Sequence, residues 1–215
     1  MELNPKLAQW FSPDWLADHL LDSVRVPQGY GRPLRVLEPS AGNGALLRAL
    51  ARRGFGEYDI DVDVVELDAR FGAELEREAR VAEDVFDRLS VRGEICVRVE
   101  ICDYLERPAP AERYDIAIAN PPFTRGMETP FLAKLLDECE QIVAILPSRA
   151  LHGLARHGAI WRRFEPVGSA DPEWSIRAIN YCKRRPKFAG ANGGKDEIVI
   201  VNLQRAPGRC HVRWI

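Results

Sequence analysis

The chain has 215 residues, 46% hydrophobic and 29% charged, with a formal net charge of −2. One substantial core fits that length and a second full domain would be cramped, so a single domain over residues 1–215 is expected. No stretch reaches the roughly 18 uninterrupted apolar residues of a membrane span, the start Met1-Glu2-Leu3-Asn4-Pro5-Lys6 has no basic-then-apolar leader, and the five scattered cysteines (Cys96, Cys102, Cys139, Cys182, Cys210) form no Cys-x-x-Cys pair; a cytoplasmic protein without membrane, disulfide or metal is expected.

The stretch Trp10 to Asp22 opens with a helix-start signal: Ser12 as candidate N-cap, Pro13 at the first helical position and Asp14 in the first turn. Trp15, Leu16, His19 and Leu20 would share its apolar face, and His19 reads as a packed or rim histidine. Phe11 is either a hydrophobic staple or the edge of a ligand pocket. Pro27 to Pro33 is a Gly and Pro linker.

Leu34 to Glu38 predicts a strand, followed by the small-residue loop Pro39-Ser40-Ala41-Gly42-Asn43-Gly44 and a helix over Ala45 to Arg53. Strand, glycine loop and helix together let backbone N–H groups approach a ligand unobstructed. The six-residue dinucleotide glycine spacing is absent, as is Gly-Lys-Ser/Thr, which disfavours a diphosphate cradle and a P-loop. Ile60 to Glu66 predicts a second strand, ending where a ribose would present its hydroxyls to Glu66 while Asp68 caps the next helix. Arg70 to Arg92 reads as a solvated outer helix pair with Leu75, Ala79, Ala82 and Phe86 or Leu89 inward. Ile95 to Ile101 alternates and carries Asp103 just beyond its tip.

Tyr114 to Ala119 is an apolar run halted by Asn120-Pro121-Pro122-Phe123. Two prolines end a strand at the carboxyl edge of a sheet, where open α/β folds keep their ligands. The Asn120 amide oxygen and a proline carbonyl offer two acceptors and no acid, which suits an amino group whose two hydrogens must be held. The Phe123 ring could lie against a planar base; the alternative is a proline-rich turn that only ends a strand. Phe131 to Glu140 reads as an amphipathic helix and Gln141 to Leu146 as a fifth strand. The alternation from Leu34 to Pro147 predicts an α/β fold with a mostly parallel, doubly wound sheet.

Beyond Pro147 the composition shifts. From Ser148 to Lys195 there are ten Lys or Arg against Glu165, Asp171 and Glu173, a net +7 that leaves −9 for the rest. Ala150 to Phe164 reads as a basic helix with Leu151, Leu154, Ile160, Trp161 and Phe164 inward. Ser175 to Tyr181 and Glu197 to Leu203 read as an antiparallel edge hairpin, joined by Cys182 to Lys187 and the glycine-rich 189–194 loop. The basic stretch is either a polyanion surface or a solvated face.

These segments together resemble the S-adenosylmethionine-dependent amino-methyltransferases, most closely the adenine-N6 methyltransferases acting on DNA. Glu38-Pro39-Ser40-Ala41-Gly42-Asn43-Gly44 is similar to the family's cofactor loop, Val65-Glu66-Leu67-Asp68 to its ribose-acid segment, and Asn120-Pro121-Pro122-Phe123 to its catalytic motif, in the family's order. Phe11-Ser12-Pro13 resembles the segment closing over the methionine end, and Cys102-Asp103-Tyr104-Leu105 the adenine-side strand tip. Leu146-Pro147-Ser148 resembles the end of the family's strand after the catalytic helix. The resemblance covers about residues 10 to 205.

It implies a Rossmann-like methyltransferase fold, S-adenosyl-L-methionine as cofactor and residues 1–30 as a helical segment closing its site. The implied cofactor-binding residues are Phe11, Pro13, Glu38, Pro39, Ser40, Ala41, Gly42, Gly44, Glu66, Leu67, Asp103, Tyr104 and Asn120. Asn120, Pro121, Pro122 and Phe123 would carry catalysis, and Arg149, Lys183, Arg184, Arg185 and Lys187 in the basic segment would contact nucleic acid. Phe in place of Tyr at the end of the motif keeps stacking and removes a hydroxyl. No separate recognition domain is evident, so specificity would be low or come from a partner chain or dimer mate. RNA, a protein glutamine amide, or a non-catalytic methyltransferase-like subunit that binds nucleic acid remain as alternatives to DNA methylation.

Overall fold

The computed structural model describes residues 10–26, 31–53, 55, 58–89, 93–167, 170–188, 197–206 and 210–214. Residues 1–9, part of the 27–33 linker, Ser90 to Arg92 and the glycine-rich 189–194 loop expected from the sequence lie outside them. The strands are β1 (Leu34–Glu38), β2 (Ile60–Glu66), β3 (Ile95–Ile101), β4 (Tyr114–Ala119), β5 (Cys139–Pro147), β6 (Ser175–Tyr181), β7 (Ile198–Gln204) and β8 (His211–Trp214). They form one sheet in the order β3-β2-β1-β4-β5-β7-β6-β8. The first five run parallel, and β7 lies antiparallel between β5 and β6. This is the Rossmann-like methyltransferase fold, α/β with a mostly parallel sheet and an antiparallel edge.

The helices are α1 (Asp14–Asp22), α2 (Ala45–Arg53), α3 (Gly72–Leu89), α4 (Glu128–Glu138) and the short α5 (Leu154–Ala159). On one face α1, α2 and α3 pack over Val36, Val62, Val64, Ile116 and Ile118; on the other, α4 packs over Leu37, Val65, Ala117, Ala119 and Leu146. Every residue of β4 is buried, as a central parallel strand covered on both faces requires. The edge strand β3 instead alternates, with Cys96, Arg98 and Glu100 outward. Leu132, Leu135 and Leu136 of α4 are fully buried, each worth about 1.5–3 kcal/mol of transfer free energy.

Chain direction places the site. From β1 the chain moves outward to β2 and β3, then returns to the other side of β1 as β4. The loops after β1 and β4 therefore open side by side, the switch point at which open α/β sheets hold ligands. No helix fills the return from β3 to β4; a polar cluster holds it instead. Arg107 donates to Asp63 at 3.1 Å and to the Tyr114 hydroxyl at 2.7 Å, Arg98 reaches Asp63 at 2.8 Å, and the Tyr114 hydroxyl donates to Asp63. Burial raises the Asp63 pKa, but these bonds outweigh it and hold the carboxyl below its usual range.

Several expectations need correcting. Helix α1 begins at Asp14 after Pro13, and Ser12 makes no cap bond because its hydroxyl is engaged by Asn120. Its buried stripe is Leu16, Ala17, Leu20 and Leu21, so Trp15 and His19 turn outward. The expected outer helix pair is one helix, α3, led by a 3-10 turn over Ala69–Phe71 that the Asp68 carboxylate caps; Leu89 is exposed. Helix α4 starts at Glu128 and gives way to strand at Cys139, inside the stretch expected to stay helical.

The basic helix expected over Ala150 to Phe164 is broken into two 3-10 turns and α5. Gly153 takes φ 107°, and Ile160 leaves helical geometry with its side chain in the core. Leu154, expected inward, is 91% exposed. The β6–β7 pairing is the expected antiparallel one, but β7 meets the parallel sheet and the unanticipated β8 runs parallel to β6 at the outer edge.

Candidate active site

A cleft of about 680 Å³ opens at the carboxyl ends of β1, β2 and β4. Its walls include the β1 loop from Glu38 to Asn43, Glu66 and Leu67, Asp103 and Tyr104, Asn120 to Pro122, and Trp10 to Ser12 across the top. The β1 loop is tied to its neighbours: Ala41 N donates to the Val65 carbonyl at 3.0 Å, and Ser40 Oγ to the Asn120 carbonyl at 3.2 Å.

Gly42 turns at φ +56°, and a Cβ there would lie 2.9 Å from two ring carbons of Phe11. Only glycine lets that ring close over the loop. Gly44, also at positive φ, does not line the cleft; its bare face meets Leu75 and Glu78, so it serves the packing of α2 on α3.

Three carboxylates face the cavity. Glu66 accepts Gly42 N–H at 2.7 Å with one oxygen and Asp68 N–H at 2.8 Å with the other, and the carboxylate, with about four lone-pair sites, keeps acceptor capacity. Its pKa is raised by burial, partly offset by those backbone bonds. Asp103 accepts Leu105 N–H at 2.9 Å.

Glu38 is 1% exposed, and its Oε2 has no hydrogen-bond partner. Burial pushes its pKa up to about 8, with Glu66 adding to the rise and Arg48 opposing it. Tyr104 is fixed by a 2.8 Å bond from its hydroxyl to Glu138 and by the Phe131 ring at 5.4 Å.

Asn120 is held by its nitrogen. Nδ2 donates to the Trp10 carbonyl and to Ser12 Oγ, both at 2.9 Å, and Oδ1 has no partner. The amide is thus oriented with its nitrogen on the amino-terminal segment and its acceptor free. Sequence reasoning missed this use of Trp10 and Ser12, because the pairing spans more than a hundred residues.

Phe123 lies outside the cleft walls, at 2% exposure, edge-on to Trp10 (5.4 Å) and Phe188 (6.2 Å). Pro13 likewise does not line the cavity. Arg149, expected on a nucleic-acid surface, points Nη2 to the Phe123 carbonyl at 2.8 Å and braces the tetrapeptide from behind. Lys183, Arg184, Arg185 and Lys187 are exposed, on a segment anchored by buried Pro186 and Phe188. Thr124, Arg125 and Met127 complete the cleft beside the tetrapeptide; nothing in the sequence pattern singled them out.

No family model matches the chain, and no curated protein matches it. Solved structures do. A Listeria monocytogenes protein provisionally assigned as a class I S-adenosylmethionine-dependent methyltransferase superposes with a TM-score of 0.66 at 13% identity, covering 100% of this chain and 68% of its own. The methyltransferase subunit of a type I restriction-modification system from Streptococcus thermophilus gives 0.65 at 13% identity over 96% of this chain, which spans 47% of that subunit. The 23S rRNA methyltransferase ErmE gives 0.58 at 19%, over 91% of this chain and 70% of its own. At these identities the likeness is one of fold.

Proposed function

We propose that this chain is an S-adenosylmethionine-dependent methyltransferase acting on the N6 amino group of adenine in DNA. The observation that carries the reading is the Asn120 amide, with its nitrogen tied down and its oxygen unpartnered in a cleft wall. A buried acceptor without a partner costs about 1–3 kcal/mol, a cost removed when a ligand donor arrives.

The residues fit the cofactor. Glu38 Oε2 lacks a partner and can accept a ligand ammonium, Glu66 retains lone-pair capacity for ribose hydroxyls, and Asp103 can accept from an adenine amino group. Bound there, S-adenosylmethionine supplies an electrophilic methyl on a sulfonium.

Asn120 Oδ1 and the Pro121 carbonyl accept the two hydrogens of the target amine. Holding both lets the nitrogen pyramidalise, drawing its lone pair out of the ring and toward the methyl. With the cofactor bound, the new C–N bond would form as the methyl carbon–sulfur bond breaks, its electron pair staying on the departing thioether. The nitrogen would then be cationic and acidic and would lose one proton to solvent, the N–H bonding pair staying on nitrogen; no strong base is needed beforehand. Orientation and transition-state hydrogen bonding of this kind contribute several kcal/mol. A base reaches the cleft only when extruded or single-stranded.

The test is methyl-labelled S-adenosylmethionine with DNA, RNA and glutamine-peptide acceptors, followed by nucleoside analysis. N6-methyladenine in DNA is expected. Label on RNA or peptide alone would reassign the acceptor, and cofactor binding with no transfer to any acceptor would leave a non-catalytic subunit. Asn120→Ala is expected to abolish transfer while cofactor binding, read by calorimetry, persists.

A further inference from the structure

We propose that Arg125 binds a backbone phosphate of the nucleic-acid acceptor and so determines which amines enter the cleft. The assignment rests on the nucleic-acid reading above and names a recognition element within it.

Three features of Arg125 set it apart. It lines the cleft two residues beyond Phe123, and it is the one basic side chain among the described residues that do so, facing a cavity whose acidic side chains are Glu38, Glu66 and Asp103. It is exposed, and its guanidinium makes no hydrogen bond or ion pair with any described residue. Its backbone sits at φ 54°, ψ 26°, the only positive φ among described non-glycine residues, followed by Gly126 at φ 79°.

A left-handed turn is made most easily by glycine or asparagine. Arginine there adds nothing to the turn and places five donors at the edge of the cleft. The electrostatics of the cleft are split accordingly. The acids line the half formed by the β1, β2 and β3 ends, which suits a cofactor with a net positive charge. The lone cation stands on the tetrapeptide side, where the acceptor must come. A planar fork of donors matches a phosphodiester in two parallel bonds, a geometry that a neutral glutamine side chain, with its single acceptor oxygen, does not offer.

The experiment measures binding of a fluorescent single-stranded oligonucleotide with one adenine to the full chain, by anisotropy over a series of salt concentrations. Arg125→Asn keeps a residue suited to positive φ, and an unchanged thermal midpoint verifies its fold. Relative to the wild type, affinity should fall about five-fold, the charge-assisted bond being partly screened by solvent. The slope of log affinity on log salt should drop by about 0.7, as expected when one single-strand phosphate is no longer neutralised. Arg125→Lys should recover the slope and only part of the affinity.

An oligonucleotide with neutral methylphosphonates flanking the adenine should weaken wild-type binding by a similar factor, with no further loss in Arg125→Asn. Wild-type affinity and slope in Arg125→Asn, additive losses, or no oligonucleotide binding by the wild type would each overturn the assignment. Because binding is read apart from transfer, a wild type that binds through Arg125 but methylates no DNA would sink only the catalytic reading.

Discussion

At the scale of single residues, the pH behaviour of the cleft follows from Glu38. Its folded pKa of about 8 stands above the ordinary 4.5, so between those values the folded chain holds a proton that the unfolded chain has released. The sign follows: the contribution is fully present below 4.5 and is lost as pH rises through about 8, at no more than about 1.4 kcal/mol per pH unit. Glu38→Gln should flatten the decline in thermal midpoint across that window in the cofactor-free protein; a variant whose pH profile parallels the wild type would remove Glu38 as its source. Pairing with a ligand ammonium should also expel the proton. Calorimetric titration with S-adenosylmethionine at neutral pH, in buffers of different ionisation enthalpy, should report release of up to about one proton, absent in Glu38→Gln. The identity of such residues was legible in the sequence: Glu38, Glu66, Asp103 and Asn120 all reach the cleft, because each follows or ends a strand whose bounds its apolar run defines. What their side chains bond to was not. No local pattern announces that Trp10 and Ser12 take the Asn120 nitrogen, or that Arg125 adopts a left-handed backbone.

Among the elements, β1 to β4, α2 and β6 have the bounds that their sequences suggest, since Leu34–Glu38 or Tyr114–Ala119 lie between breakers and are buried on both faces. Misreadings fall where tertiary contacts override local preference. Cys139 and Glu140 join β5 because Tyr114 offers a parallel partner to Cys139, and α5 stops early because Ile160 turns into the core. The largest surprise is Phe123, expected on a base and found in an aromatic nest with Trp10 and Phe188. That nest joins the amino-terminal segment, the Asn120-Pro121-Pro122-Phe123 tetrapeptide and the basic segment. Removing Phe188 would therefore leave a cavity and loosen Trp10, whose carbonyl holds Asn120. Phe188→Ala should cost about 3 kcal/mol in urea unfolding and depress methyl transfer, whereas Phe188→Leu should recover most of the stability. An unfolding midpoint equal to wild type in Phe188→Ala would refute the nest as a structural tie. Gly42→Ala presents the converse crowding: a methyl 2.9 Å from the Phe11 ring, at positive φ, should lower cofactor affinity through displacement of the closing segment.

Over the whole molecule, the charge split is sharper in three dimensions than along the chain. Of the ten cations between Ser148 and Lys195, several serve the fold: Arg149 holds the Phe123 carbonyl, Arg156 meets buried Glu128 at 3.0 Å, Arg163 pairs with Asp137 at 2.7 Å and Arg177 reaches Gln204 at 2.9 Å. Lys183, Arg184, Arg185 and Lys187 remain exposed together, just before the residue that packs against Phe123. A polyanion attracted there would approach the cleft from the tetrapeptide side, away from the acids that suit the cofactor. Because phosphate neutralisation is local, an overall charge of −2 does not oppose it. Replacing Lys183, Arg184 and Arg185 together with glutamine should weaken oligonucleotide binding at low salt and reduce the salt slope by about 0.7 for each single-strand phosphate left unneutralised. The cofactor dissociation constant should stay unchanged, since none of the three lines the cleft. The weakening should shrink as salt is raised, because exposed charges act through a field screened over about 10 Å at 0.1 M. Wild-type binding and slope in the triple variant would mean that these cations serve only as a solvated rim, and that the acceptor is steered by the cleft alone.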